Sequence, residues 1–228
     1  GVSIASVCIE EDSARSIKEN GSEVVYRLDR LGIPLIEIAT GPDIRTPKQC
    51  AQVAEKIGMI LRSTGKVKRG IGTIRQDVNV SITGGSRVEI KGAQDLKLIP
   101  LIVEYEALRQ QNLLVIMQEL KKRKASLKNN TLDISAMFKD SQSKIIRSAF
   151  ESNGIILGMK LQNFKGIIGR QVQPNRRLGT EFSERAKVKA GVGGIFHSDE
   201  LPNYGITDDD IKKFRQKLQC QENDAFVL

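Results

Sequence analysis

Arg75, Asp77, Asn79 and Ser81 alternate with Gln76, Val78, Val80 and Ile82 in the stretch GTIRQDVNVSI. The stretch RVEIKG repeats the pattern, with Arg87, Glu89 and Lys91 alternating with Val88 and Ile90. Successive side chains of a strand point to opposite faces, so each stretch would carry one apolar and one ionisable face. Carboxylates and an amide oxygen are hard ligands of the kind Mg²⁺ takes, while Arg and Lys suit phosphates. Magnesium usually keeps water and phosphate oxygens and needs only one or two carboxylates, so a sparse set would suffice. The competing reading is a face turned to water, as antiparallel sheets commonly have. Pattern alone leaves both open.

A second acidic group, Glu10-Glu11-Asp12 in CIEEDSAR, could supply metal ligands or open a helix, where acids favour the positive dipole end. Other chemistries lack their motifs. There is no GxxxxGK[ST] phosphate loop and no serine nucleophile elbow. Cys8, Cys50 and Cys220 lie far apart, which suits free thiols in a reducing compartment. The only histidine, His197, has only Asp199 beside it at metal spacing and reads as structural.

The two alternating stretches must be positioned by a turn. Gly84-Gly85 invites a two-residue hairpin, which would pair Val80 with Glu89 and mix the faces. A loop with an odd number of residues, most simply three with one left-handed glycine, restores apolar against apolar. Elsewhere, Val24–Asp29 and Ile33–Thr40 read as a hairpin around RLG. Thr46-Pro47 starts a helix that Gly65 stops, and a further helix covers 102–123. A helix near Ser141 ends at Gly154, strands lie around 155–161, Thr207 opens a last helix, and 225–228 form a closing strand. Strands and helices in both halves give an α+β class. KKRKASLKNNTLD, Lys121 to Asp133, is the expected boundary between halves.

Charge divides there too. Residues 1–120 hold 16 Lys and Arg against 15 Asp and Glu, and residues 121–228 hold 20 against 12. The basic second half suits an anionic partner, while the 4% aromatic content argues against a base-stacking platform. No apolar run reaches the roughly 18 residues of a membrane span. A first residue that is Gly reads as an excised piece of a longer protein.

Taken together, YRLDRLGIPLIEIATGPDIRTP, GTIRQDVNVSI, RVEIKG and EYEALRQ resemble the GatB/GatE family of tRNA-dependent amidotransferases. LGTEFSERAKVKAGVGGIFHSDELPNYGIT is similar to the archaeal branch, which carries an inserted (GAD) domain like one in bacterial-type aspartyl-tRNA synthetases. The resemblance implies that residues 1–124 are part of an antiparallel-sheet, kinase-like catalytic cradle, and 125–228 the smaller α+β insertion. It implies a cytoplasmic, non-membrane carbon–nitrogen ligase that converts Glu-tRNA(Gln) to Gln-tRNA(Gln). ATP would phosphorylate the glutamyl side chain, and an asparaginase-like glutaminase partner, the D component of the heteromer, would deliver ammonia from glutamine. By the same resemblance Glu10, Glu11, Asp77 and Glu89 are expected to bind Mg²⁺, although Cys8 replaces the family's neighbouring His. Arg75 and Lys91 are expected to be catalytic and, with Arg30 and Asn79, to bind nucleotide. Gly92, Ala93, Gln94 and Asp95 replace the asparagine-rich run of the B-type pattern. The chain by itself is expected to be inactive. The alternative is a non-catalytic, basic tRNA-binding or structural module.

Overall fold

The computed structural model describes residues 1–70, 72–127 and 131–228. They form two compact units, one of residues 1–77 and 91–101 and the other of residues 78–90 and 102–228. Among the described residues every strand pair is antiparallel and the sheets are small, which agrees with the α+β reading. Residues 128–130 of the expected boundary lie outside the described residues.

In the first unit, β1 (Ile4–Glu11) pairs with β4 (Pro34–Thr40), and β2 (Arg15–Asn20) with β3 (Glu23–Arg27). The hairpin expected between Val24–Asp29 and Ile33–Thr40 is therefore not formed. Asn20 pairs with Glu23 around Gly21, whose φ of 58° closes a tight turn that claims β3 for β2. A local turn closed by Leu31 N–H to Leu28 O, at 3.1 Å, follows β3, and β4 pairs with β1. The two pairs are separate two-stranded sheets, joined through 12–14 and 28–33, where Asp12 bonds to Gly32 and Ile33 and makes a ribbon break between them. Glu10 and Glu11 thus end a strand and do not open a helix.

Helix α1 (Pro47–Ser63) begins as expected: Thr46 accepts from the Gln49 N–H at 3.1 Å, Pro47 needs no donor in the first turn, and Gly65 follows at φ 69°. In the second unit β5 (Val78–Val80) pairs with β6 (Val88–Ile90), followed by α2 (Ile99–Lys122), whose first residues belong to the first unit. Beyond lie β7 (Ser126–Leu127), β8 (Leu132–Asp133), α3 (Lys144–Glu151), β9 (Leu157–Gln162), β10 (Gln171–Gln173) and β11 (Arg176–Arg177). The chain ends with α4 (Leu178–Ala190), α5 (Asp208–Lys217) and β12 (Ala225–Val227). Strands β12, β9 and β7 form the main sheet, with β8 also on β9. Helix α4 had no expectation attached; left-handed Gly191, at φ 66°, stops it.

Two apolar cores build this unit. Ile116 of α2 packs with Leu161, Phe164, Ile167, Ile168, Val172 and Leu178. The other core contains Ile134, Phe138, Ile146, Phe214 and Phe226. Asn112 of α2 also donates to Val172 O at 2.9 Å. Residues 102–122 of α2 and the β5–β6 hairpin thus fall in the same compact unit as residues 125–228. Among the described residues no helix is long and apolar enough to cross a membrane.

Candidate active site

Asp12 sits where the first-unit ribbon breaks. Its backbone holds the break closed: Asp12 N–H donates to Ile33 O and Gly32 N–H to Asp12 O, both at 2.9 Å. The residue is 8% exposed, and two guanidiniums converge on one carboxylate oxygen. Arg30 Nε and Nη2 reach Asp12 Oδ2 at 2.8 and 2.6 Å, and Arg75 Nη2 reaches it at 3.1 Å. Burial alone would push the Asp12 carboxyl up, but the Arg30 hydrogen bond and the charges of Arg75 and Arg30 hold it below the usual range. Asp12 is therefore ionised, and the clamp carries one net positive charge.

The arginine side chains remain 42% and 43% exposed. Each guanidinium has five donors and uses only one or two on Asp12, so both still offer N–H groups to an anion. Arg30 pairs with Asp12, not with the neighbouring Asp29. The structure thus brings two of the expected phosphate-binding residues together, through an acid for which the sequence reading chose no role.

The expected strand carrying Arg75, Asp77 and Asn79 on one face is shorter than predicted, because β5 begins only at Val78. Side chains take the place of the ladder before it. Asp77 Oδ1 accepts from Gly92 N–H at 3.0 Å, and Gln76 Nε2 donates to Ala93 O at 2.8 Å. Lys91 Nζ lies 3.5 Å from Asp77 Oδ2. Both ends of that contact are exposed, so it orients Lys91 weakly and adds little stability.

In the second unit Asn79 pairs with Glu89, between the apolar pairs Val78–Ile90 and Val80–Val88. This register matches apolar against apolar, as expected. It is closed by a loop with Gly84 at φ 80° and a Gly85 N–H to Ile82 O bond of 2.9 Å. Val78 and Val80 are buried, while Asn79 and Glu89 are exposed on the opposite side.

Strand alternation separates the two adjacent glutamates of β1. Glu10 lies opposite Leu35 and shares its face with Cys8 and the latter's partner Glu37; Glu11 lies opposite Pro34 on the other face. Glu10 and Glu37 are diagonal neighbours, a spacing within reach of long side chains. Glu37 is the acid that sequence reading passed over. Its signal was present in PLIEIAT, but only the pairing of β4 with β1 reveals the shared face. Among the described residues, no three His, Cys, Asp or Glu side chains gather as a potential metal centre. Glu10, Glu11 and Asp77 belong to the first unit and Glu89 to the second. His197 is buried at 5% exposure. Burial pushes its pKa down, against the pull of Glu200 and Asp199.

A family model described as the GatB/GatE catalytic domain matches residues 1–208. The chain is 55% identical to the E subunit of glutamyl-tRNA(Gln) amidotransferase from Methanocaldococcus jannaschii, over all 228 of its residues and 36% of that protein. It is 56% identical to the proteins of the same name from Sulfurisphaera tokodaii and Pyrococcus furiosus, over 37% and 36% of their lengths. The chain thus spans about a third of the length of these relatives. With more than half of its residues matched, the chain belongs to the GatB/GatE catalytic-domain family.

Proposed function

We propose that this chain contributes the carboxylate-activating site of an ATP-dependent amidotransferase that converts Glu-tRNA(Gln) to Gln-tRNA(Gln). The observation that carries the reading is the Asp12–Arg30–Arg75 clamp, set in a chain whose relatives bear the amidotransferase name. The names of those relatives do not favour the non-catalytic alternative.

The chemistry explains why such a clamp is useful. A carboxylate is a poor electrophile, because its negative charge repels nucleophiles and it has no leaving group. In the proposed reaction a glutamyl carboxylate oxygen attacks the γ-phosphorus of ATP and ADP departs. Ammonia then adds to the acyl carbon, and phosphate leaves with that oxygen while the nitrogen loses its extra proton. Phosphoryl transfer asks the protein for positioning and charge neutralisation more than for covalent help. Arg30 and Arg75 would hold phosphoryl oxygens, oriented by Asp12, and Lys91 would add a mobile charge steadied by Asp77.

The donor set fits Mg²⁺. Glu10 and Glu37 on one ribbon face offer two hard carboxylates, as many as that ion normally takes from protein. They are the residues we assign to it, in place of the Glu10–Glu11 pair. Bound magnesium would neutralise phosphate charge. Glu89 and Asn79 stay as candidates on the exposed face of the hairpin. We also assign residues 125–228 to the GAD-type insertion, supported by a core built entirely from within that span, and an asparaginase-like glutaminase as the ammonia-supplying partner.

The test uses the longer protein carrying this sequence, with its glutaminase partner and Glu-tRNA(Gln). Replacing Arg75 by Met should lower ATP-dependent Gln-tRNA formation by about 10²–10³-fold, the usual loss on removing one charge-stabilising donor. Glu10→Gln and Glu37→Gln should each raise the Mg²⁺ concentration needed for half-maximal activity. Full activity of an Arg30→Met/Arg75→Met protein would overturn the assignment. The chain of 228 residues alone should show no transamidation.

A further inference from the structure

Within EYEALRQ, three polar residues of α2, Glu106, Arg109 and Gln110, have no role in the chemistry above, yet each makes several hydrogen bonds. Gln110 is 4% exposed. Its Nε2 donates to Val80 O at 3.1 Å and to Glu106 Oε1 at 2.8 Å, and its Oε1 accepts from Ile82 N–H at 3.3 Å. The last backbone pair of the hairpin is Val80–Val88. One side-chain amide therefore satisfies a carbonyl and an N–H where the ladder gives out.

The neighbouring glycine is explained by the same contact. A Cβ on Gly85 would lie 2.3 Å from Gln110 Oε1 and 3.0 Å from Ile82 Cγ1. Glycine is needed there to let the amide in, whereas Gly84 serves the left-handed turn.

Gln110 is itself held. Glu106, also buried, accepts from Arg109 Nε at 2.8 Å and Nη2 at 3.0 Å. Arg109 Nη1 reaches Glu181 of α4 at 3.2 Å, and Arg176 Nε binds the other Glu181 oxygen at 2.5 Å. The charges alternate in sign along this chain of bonds, which fixes the carboxylate that fixes the amide. A groove of about 330 Å³ lined by Val88, Glu106, Arg109, Gln173, Arg176 and Glu181 runs beside it, so the second hairpin strand borders the same charges.

We propose that Gln110, locked by Glu106 and Arg109, is a positioning residue that fixes the β5–β6 hairpin and with it the exposed Asn79–Glu89 pair. The proposal rests on the reading that this pair takes part in transamidation. A hairpin of two three-residue strands is marginal by itself. Its aim is set by what anchors its backbone, and the anchor is a side chain of α2.

The experiment is run on the longer protein with its partner. Gln110→Leu keeps the side-chain volume close while leaving Val80 O and Ile82 N–H without their partner. Hydrogen exchange of the 78–90 segment should rise by about tenfold, the effect of losing roughly one buried hydrogen bond, while exchange in β9 and β12 stays unchanged. Turnover of Glu-tRNA(Gln) should fall by about tenfold with KM for tRNA and ATP nearly constant, the pattern of a lost transition-state alignment. Gly85→Ala attacks the same contact from the hairpin side and should reproduce both changes, should Gln110→Leu fail to fold. Unchanged exchange in 78–90, or unchanged turnover, in either folded variant overturns the proposal. A separate Glu89→Ala variant keeps the two readings apart. If it is inactive while Gln110→Leu behaves as the parent, only the positioning role falls; if it is fully active, the part assigned to the hairpin in the reaction falls.

Discussion

Replacing Gly179 by Ala tests how firmly the interior of the second unit is packed. At an ordinary helical glycine the change would stabilise, since Ala is favoured over Gly by about 1 kcal/mol in a helix. Gly179 is different. Its Cβ would lie 2.3 Å from His197 Nε2 and 2.6 Å from Cδ2, against a normal separation of about 3.5 Å. The imidazole cannot withdraw easily. It is buried, and the backbone that carries it is fixed: the His197 main-chain N–H donates to Glu200 Oε1 at 3.1 Å, and the residue bridges to Val227 at the edge of β12. The start of α4 is pinned as well, by Gly179 N–H to Ile168 O at 2.8 Å. Overpacking of this kind costs about 1–3 kcal/mol, and an overlap above one ångström between two anchored groups belongs at the upper end. Subtracting the propensity gain leaves a net loss of about 2 kcal/mol, or a fall in Tm of about 4–8 °C for a protein of this size. Urea and thermal unfolding of Gly179→Ala, and of the same change in a His197→Ala background, form the assay. With the ring removed, the penalty should vanish and the two changes should be strongly non-additive. A Gly179→Ala protein as stable as the parent, or a cost undiminished without the imidazole, refutes the reasoning.

His197 also makes stability depend on pH. Its folded pKa is lowered, chiefly by burial, so the unfolded chain binds the proton more readily. The stabilisation is fully present above the unfolded value of about 6.5 and is lost as pH falls through the folded pKa; unfolding of His197→Gln should show a shallower fall over that window. Thr207 caps α5 in a reciprocal box with Asp210, accepting from its N–H at 3.2 Å while Thr207 N–H donates to Asp210 Oδ2 at 2.9 Å. Thr207→Ala should therefore cost about 1 kcal/mol in denaturant midpoint analysis, and Thr207→Asn much less.

What the sequence by itself determined is local or periodic. The caps at Thr46 and Thr207 are readable because a helix start is governed by a side chain and a backbone N–H three residues away. The hairpin register is readable because period-two alternation admits only pairings that put Val78, Val80, Val88 and Ile90 on one face, and the shortest odd loop around Gly84-Gly85 selects among them. Tertiary structure decided what depends on distant partners. β3 was claimed by β2 through the turn at Gly21, so β4 fell to β1 and brought Glu37 onto the face of Glu10. Of three consecutive acids, only Asp12 lies at the ribbon break where Arg30 and Arg75, 18 and 63 residues away, can reach it. Gln110 finds its backbone partners 28 and 30 residues back. No local pattern encodes such meetings, because a strand's alternation states which residues share a face and not what that face will touch.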